Sequence, residues 1–168
     1  MKIFLIGFMG CGKSTLGKKL ATKLGYDFID LDQQLEKEIG DSVGNYFAAH
    51  GEDAFRRQEK KTLQDYNYPA NIVVATGGGA PCYFDNMEWM NANGKTVYIE
   101  MSPVALAKRL ESGKEKRPLI KNLNEAELIA FIEAKLAERE VFYKQASISA
   151  SGISLTADAL RAILLSES

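Results

Sequence analysis

The stretch Gly7-Phe8-Met9-Gly10-Cys11-Gly12-Lys13-Ser14 satisfies the pattern G-x-x-x-x-G-K-[ST], and no other part of this chain restricts its fold as strongly. It follows a short uninterrupted apolar run, Ile3 to Ile6, and precedes Lys13 to Leu24, where Leu16, Leu20 and Leu24 recur at helical spacing before Gly25. Strand, glycine loop and helix is the context in which the pattern has physical meaning. The loop turns successive N–H groups toward phosphate oxygens, and the helix start adds its positive dipole end. Lys13 is placed to reach the β- and γ-phosphates of a nucleotide and Ser14 to ligate Mg²⁺. A glycine-rich turn with an exposed lysine would not account for the Gly-Lys-Ser order. Cys11 stands inside the loop, where a helix terminus lowers a thiol pKa and would favour alkylation. The plainer reading is a small side chain in a tight turn.

The remainder alternates strands and helices. Tyr26 to Leu31, Asn71 to Ala75, Lys95 to Glu100 and a weak segment near Ile148 read as further strands. Between the second and third lie Gln33 to Ile39, Val43 to Ala49 and a charged helix from about Glu52 to Tyr66, more than a simple crossover needs. Helices are also expected around Phe84 to Ala92, Val104 to Leu110, Glu125 to Tyr143 and Ala157 to Leu165. This alternation predicts an α/β doubly wound sheet of about five parallel strands with right-handed crossovers.

Composition narrows the class. The 168 residues hold 21 Lys+Arg and 22 Asp+Glu, so net charge gives no footprint of a nucleic-acid groove or a polybasic membrane patch. Two distant cysteines fit a reducing compartment, and with a single His they predict no transition-metal site. The apolar start is broken by Gly7 before it reaches signal-peptide length, so a cytoplasmic location is expected, with no membrane span.

A phosphate loop needs an acceptor, and in open α/β sheets ligands gather at the carboxyl ends of strands. Asp30 and Asp32 lie there; in an extended segment their spacing would put both on one side, one toward Mg²⁺ waters and one toward a substrate hydroxyl. Equally, Asp32 could cap the helix that follows. Gly77-Gly78-Gly79 follows the third strand and would let backbone approach a ligand closely. Arg56 and Arg57, near Glu59, fit either intrahelical pairing or carboxylate recognition, and Arg139 with Tyr143 is similarly open. Lys108, Arg109, Lys114, Lys116, Arg117 and Lys121 make a basic stretch suited to a flap over phosphates.

Together these residues resemble the shikimate kinases, of the nucleoside-monophosphate-kinase-like P-loop fold. The likeness spans Lys2 to Tyr143: Gly7 to Thr15, Asp30-Leu31-Asp32, Gly51 to Glu59, Thr76-Gly77-Gly78-Gly79, Arg117-Pro118-Leu119, and Arg139 with Tyr143. It implies a P-loop NTPase fold with sheet order 2-3-1-4-5 in one domain, residues 1–168. Residues 33–61 would form an acceptor-binding subdomain and 111–122 a lid. It further implies ATP held by Gly10, Cys11, Gly12, Lys13, Ser14, Thr15 and the lid residue Arg117, and Mg²⁺ held by Ser14 and, through water, Asp30. Shikimate would be bound by Asp32, Arg56, Gly78, Gly79 and Arg139, with Glu59 orienting Arg56. Lys13, Asp32 and Arg117 would be catalytic, the chain acting as a monomer. After Tyr143 the sequence departs from the family pattern, leaving Arg109 as the candidate for the adenine side. Rival readings are a gluconate or nucleoside-monophosphate kinase of the same fold, or a nucleotide-sensing module without catalysis.

Overall fold

Ile3, Phe4, Leu5 and Ile6 are all sealed from solvent, as required of β1 (Lys2–Ile6) at the centre of a sheet covered on both faces. Its neighbours are β2 (Asp27–Asp30), β3 (Ile72–Ala75), β4 (Lys95–Glu100) and β5 (Ile148–Ser151). In this computed structural model, which describes residues 1–117 and 119–167 and not the Lys116 side chain, the order is β2-β3-β1-β4-β5, as the resemblance implies. Pro118, part of the expected lid motif, lies outside the described residues, as does Ser168. All four pairings are parallel, with Lys2 opposite Ile72, Ile3 opposite Lys95, Asp27 opposite Ile72 and Val97 opposite Ile148.

Helices α1 (Lys13–Leu24), α2 (Leu31–Ile39), α3 (Val43–Asp65), α4 (Asn86–Asn93), α5 (Pro103–Glu111), α6 (Glu125–Tyr143) and α7 (Ala157–Ser166) connect and cover the strands. α1 packs on β2, β3 and α7, and α5 packs on α6. Bounds match the sequence reading where a cap is encoded locally. Gly25 ends α1, and Asn124 with Glu127 forms a reciprocal capping box at the start of α6. β5 reads weakly because it is an edge strand: Ile148 and Ala150 are buried while Ser149 and Ser151 face out. Ser147 fastens it by donating from its hydroxyl to the Thr96 carbonyl at 3.0 Å and from its N–H to Thr96 Oγ1 at 2.8 Å.

Val43 to Ala49 and Glu52 to Tyr66 are, as the sequence reads, two helical pieces, which run on as α3 across a break at Gly51, whose φ of 84° no ordinary side chain adopts readily. The second strand is shorter than Tyr26 to Leu31: it stops at Asp30, and Leu31 already opens α2. Asp30 is therefore the N-cap, accepting from the N–H groups of Asp32 and Gln33, whereas Asp32 lies in the first helical turn. The two aspartates thus do not share one side of an extended segment as expected, and Asp32 is not the cap.

Candidate active site

Three adjoining cavities open at the carboxyl ends of the strands. The first, of about 230 Å³, lies over the loop between β1 and α1 and is walled by Gly10, Gly12, Lys13, Ser14, Thr15, Asp30, Asp32, Gly78 and Arg117. The sharp change of direction from strand to loop to helix explains the gathering: Gly10 has φ 84° and Gly12, where α1 begins, φ 90°. Lys13 is buried and folds back over the loop, donating from Nζ to the carbonyls of Gly7 at 2.6 Å and Phe8 at 3.1 Å. Ser14 donates to Asp30 Oδ2 at 2.5 Å while Asp30 Oδ1 caps α2, so one carboxylate joins the phosphate loop to the second strand.

Asp32 faces this cavity from the first turn of α2. Water reaches it through the opening although protein groups surround it on most sides. That enclosure, with the Asp30 charge beside it, pushes its carboxyl above the ordinary aspartate range against the opposing pull of Lys13. Cys11 is buried beneath the loop with Lys13 Nζ 3.7 Å from its sulfur, and its N–H is occupied by the Phe8 carbonyl. That packing is what a small side chain in a tight turn requires. Burial pushes the Cys82 thiol up to about 11, away from nucleophilic use.

The second cavity, of about 140 Å³, shares Met9 with the first and is walled by Arg56, Arg139, Lys135, Glu52, Phe47, Tyr83 and Leu119. Arg56 comes from α3 beyond the Gly51 break and donates through Nη1 to Glu59 Oε1 at 2.8 Å. Both side chains are nearly sealed. Burial presses on the charge of each; Glu59, with Tyr83 and Glu52, more than restores that of Arg56, while the Glu59 carboxyl stays raised. Arg139 stands on α6 with its guanidinium 5.4 Å above the Phe8 ring. The glycine turn after β3 fits among these groups: a Cβ at Gly79 would come within 2.6 Å of Arg56 Nη1, and one at Gly78 within 3.2 Å of the Met9 nitrogen. Tyr143 fixes Gly78 by donating to its carbonyl at 2.5 Å.

A third cavity, of about 420 Å³, lies on the other side of the phosphate loop. Cys11, Gly12, Thr15 and Arg109 meet Gly152, Leu155, Thr156 and Asp158 of the divergent carboxyl end there, with Lys23 and Asp158 paired at 2.9 Å. The basic stretch divides differently from its charge pattern. Lys114 turns inward to Glu111 at 2.6 Å and the Leu123 carbonyl at 2.7 Å, and among the described side chains of the stretch only Arg117 walls the first cavity, resting on the Met9 sulfur at 3.5 Å. Lys135 and Tyr83 were not among the sequence candidates. Lys135 lies one helical turn before Arg139, a spacing that flags it once Arg139 is chosen; nothing local distinguishes Tyr83.

A parallel sheet with a P-loop at its centre and a cavity walled by Arg56, Lys135 and Arg139 beside that loop defines a P-loop, ATP-dependent kinase. The profile of the shikimate kinase family matches residues 9–164. The chain belongs to the shikimate kinase family. It is 48% identical over 148 residues to a shikimate kinase from Parabacteroides distasonis, covering 88% of this chain and 86% of the relative. A crystal structure of shikimate kinase from Bacteroides thetaiotaomicron superposes with TM-score 0.92 at 40% identity, covering 100% of this chain and 99% of that one. Shikimate kinase from Acinetobacter baumannii in complex with shikimate gives TM-score 0.83 at 31% identity over 99% of this chain and 91% of that one.

Proposed function

We propose that this enzyme transfers the γ-phosphoryl group of ATP to the 3-hydroxyl of shikimate, giving shikimate 3-phosphate and ADP. The observation that carries the reading is the pair of guanidinium groups, Arg56 and Arg139, opening on a small cavity that shares the Met9 wall with the phosphate cradle. Paired arginines suit an acceptor that carries a carboxylate. A coupled assay of ATP consumption with shikimate, gluconate and nucleoside monophosphates tests it: only shikimate should stimulate, and no stimulation by shikimate defeats the reading.

In the reaction the acceptor oxygen bonds to the γ-phosphorus as the bond to the β–γ bridging oxygen breaks, and ADP leaves. Such transfer needs alignment and charge stabilisation more than covalent help. Lys13 and Arg117 stabilise the transferring oxygens, and backbone from Gly10 to Thr15 cradles the phosphates. Asp32 orients the hydroxyl and takes its proton late, a role suited to a carboxyl raised by its surroundings. Gly78 and Gly79 meet the acceptor through backbone. The base of ATP takes the third cavity, against Arg109 and the carboxyl-terminal wall. Ser14 Oγ and Asp30 are hard oxygen donors in contact, a sparse set that fits Mg²⁺ retaining water and phosphate ligands. When bound, that ion neutralises phosphate charge. Residues 33–61 serve as the acceptor-binding subdomain and 111–122 as the lid, whose closure excludes water. Both ligand cavities are built within one chain, as a monomer requires. The free thiols Cys11 and Cys82 fit the cytoplasm.

Two predictions attach here. Arg56→Ala raises the shikimate KM about 10- to 100-fold, the worth of a charge-assisted hydrogen bond, with kcat and the ATP KM little changed; steady-state kinetics check the split. Asp32→Asn lowers kcat about 100-fold or more. Because the folded pKa of Asp32 is raised, stability falls as pH rises from the unfolded aspartate value to the folded one and the full cost is present above it, so the neutral variant keeps or raises Tm at pH 7. The same shift places the acid limb of wild-type kcat/KM for shikimate above the ordinary aspartate range. A variant that loses both activity and Tm would mark Asp32 as structural.

A further inference from the structure

The chain reverses sharply at Phe84, which lies between Tyr83 and α4 with φ 51°, a left-handed conformation that bulky residues adopt only where their surroundings impose it. The imposing groups come from α3, the helix that carries Arg56. Lys60 Nζ stands 5.3 Å over the Phe84 ring and 3.5 Å from Asp85, and Gln64 Nε2 donates to Asp85 at 2.9 Å and to Asn86 at 3.0 Å. Asn86, fully buried, ties the reversal back by donating to the Ala80 carbonyl at 2.9 Å.

The residue delivered by this reversal is Tyr83. Its ring lies 4.1 Å from the Arg56 guanidinium carbon, with the Phe55 ring at 5.0 Å. Its hydroxyl donates to Glu52 Oε1 at 2.7 Å, and the same carboxylate lies 3.8 Å from Arg56 Nε, which is buried without a hydrogen-bond partner. Burial and the bond to Glu52 both raise the phenol's pKa, so it remains a donor.

We propose that Tyr83 is a positioning residue: its ring holds the plane of the Arg56 guanidinium, and its hydroxyl, donating to Glu52, holds the ring. The inference rests on the reading that Arg56 receives the acceptor's carboxylate. A guanidinium grips a carboxylate through N–H groups lying in its own plane, so the plane must be set before binding. A second carboxylate would set it by consuming those donors, as Glu59 already consumes one on Nη1. An aromatic ring over the face restrains the plane and leaves the donors free.

The test is a kinetic cycle on the full-length enzyme with Tyr83→Ala, Tyr83→Phe, Arg56→Ala and the Tyr83→Ala/Arg56→Ala double variant, each checked for wild-type-like unfolding. Tyr83→Ala should raise the shikimate KM about tenfold, the worth of a desolvated cation–π contact, leaving kcat and the ATP KM unchanged. Tyr83→Phe keeps the ring and should lie within about threefold of wild type. In the Arg56→Ala background, Tyr83→Ala should add nothing further, since its effect passes through the arginine. A Tyr83→Ala effect of the same size in both backgrounds overturns the proposal, as does an unchanged KM in Tyr83→Ala where Arg56→Ala raises it. An unchanged KM in Arg56→Ala overturns the carboxylate assignment itself and Tyr83's role with it. If Tyr83→Ala unfolds, Tyr83→Leu keeps bulk without a π face and should reproduce the tenfold rise; wild-type KM in that variant overturns the proposal.

Discussion

Replacing Lys13 with Met lowers kcat about 10³-fold or more, the usual cost of removing a preorganised charge from a transferring phosphoryl group. Its ammonium is buried, spans the Gly7 and Phe8 carbonyls and lies near the Cys11 sulfur, so it braces the loop whose N–H groups face the phosphates. Methionine fills similar volume but leaves two carbonyls without that donor, which costs about 1–3 kcal/mol of stability. Two measurements separate the effects. Tm reports the lost bracing, and the rise in Tm on adding ATP reports phosphate binding, which should shrink with the charge. A Lys13→Met enzyme with lowered Tm but wild-type kcat would confine Lys13 to bracing.

Arg117→Ala should have an effect of comparable size, a fall in kcat of about 10³-fold, as for other arginines supplied to a phosphoryl group from outside its cradle. The two variants differ in what else they disturb. Arg117 is exposed and rests on the Met9 sulfur, so its removal leaves the core packing in place and Tm within about 1 °C of wild type. The shikimate KM should be nearly unchanged. Water should also compete better for the phosphoryl group, so ADP release without shikimate 3-phosphate grows as a fraction of turnover. Parallel measurement of both products decides it; a raised shikimate KM with unaltered kcat would place Arg117 in acceptor binding.

Legibility in the sequence followed the range of the forces involved. Lys13–Leu24, Lys95–Glu100 and Glu125–Tyr143 could be bounded from the chain alone because their caps and periodicities are local. The phosphate loop was legible for the same reason, every part of it being contiguous. The acceptor site was legible only through the family resemblance, since Arg56, Gly79 and Arg139 come from separate elements and their convergence is a property of the sheet order. The aspartate pair shows a subtler failure. The sequence offered Asp32 as the cap and Asp30 as the residue toward Mg²⁺ waters, whereas Asp30 caps α2 with one carboxylate oxygen and accepts from Ser14 with the other. Tyr83 was invisible because an aromatic after a proline turn carries no signal until Phe84's conformation aims it.

The break at Gly51 has an evolutionary consequence. From Asp41 to Ala54 no side chain is fully buried, whereas Phe55, Glu59, Thr62 and Leu63 beyond the break are. The stretch from Asp41 to Ala54 thus lends Phe47 and Glu52 to the cavity around Arg56 while adding almost nothing to the core. Substitutions there draw little on the stability margin that purges most core mutations. Drift can therefore alter the wall of that cavity, while the sheet and the loop between β1 and α1 stay under the stricter selection that packing imposes.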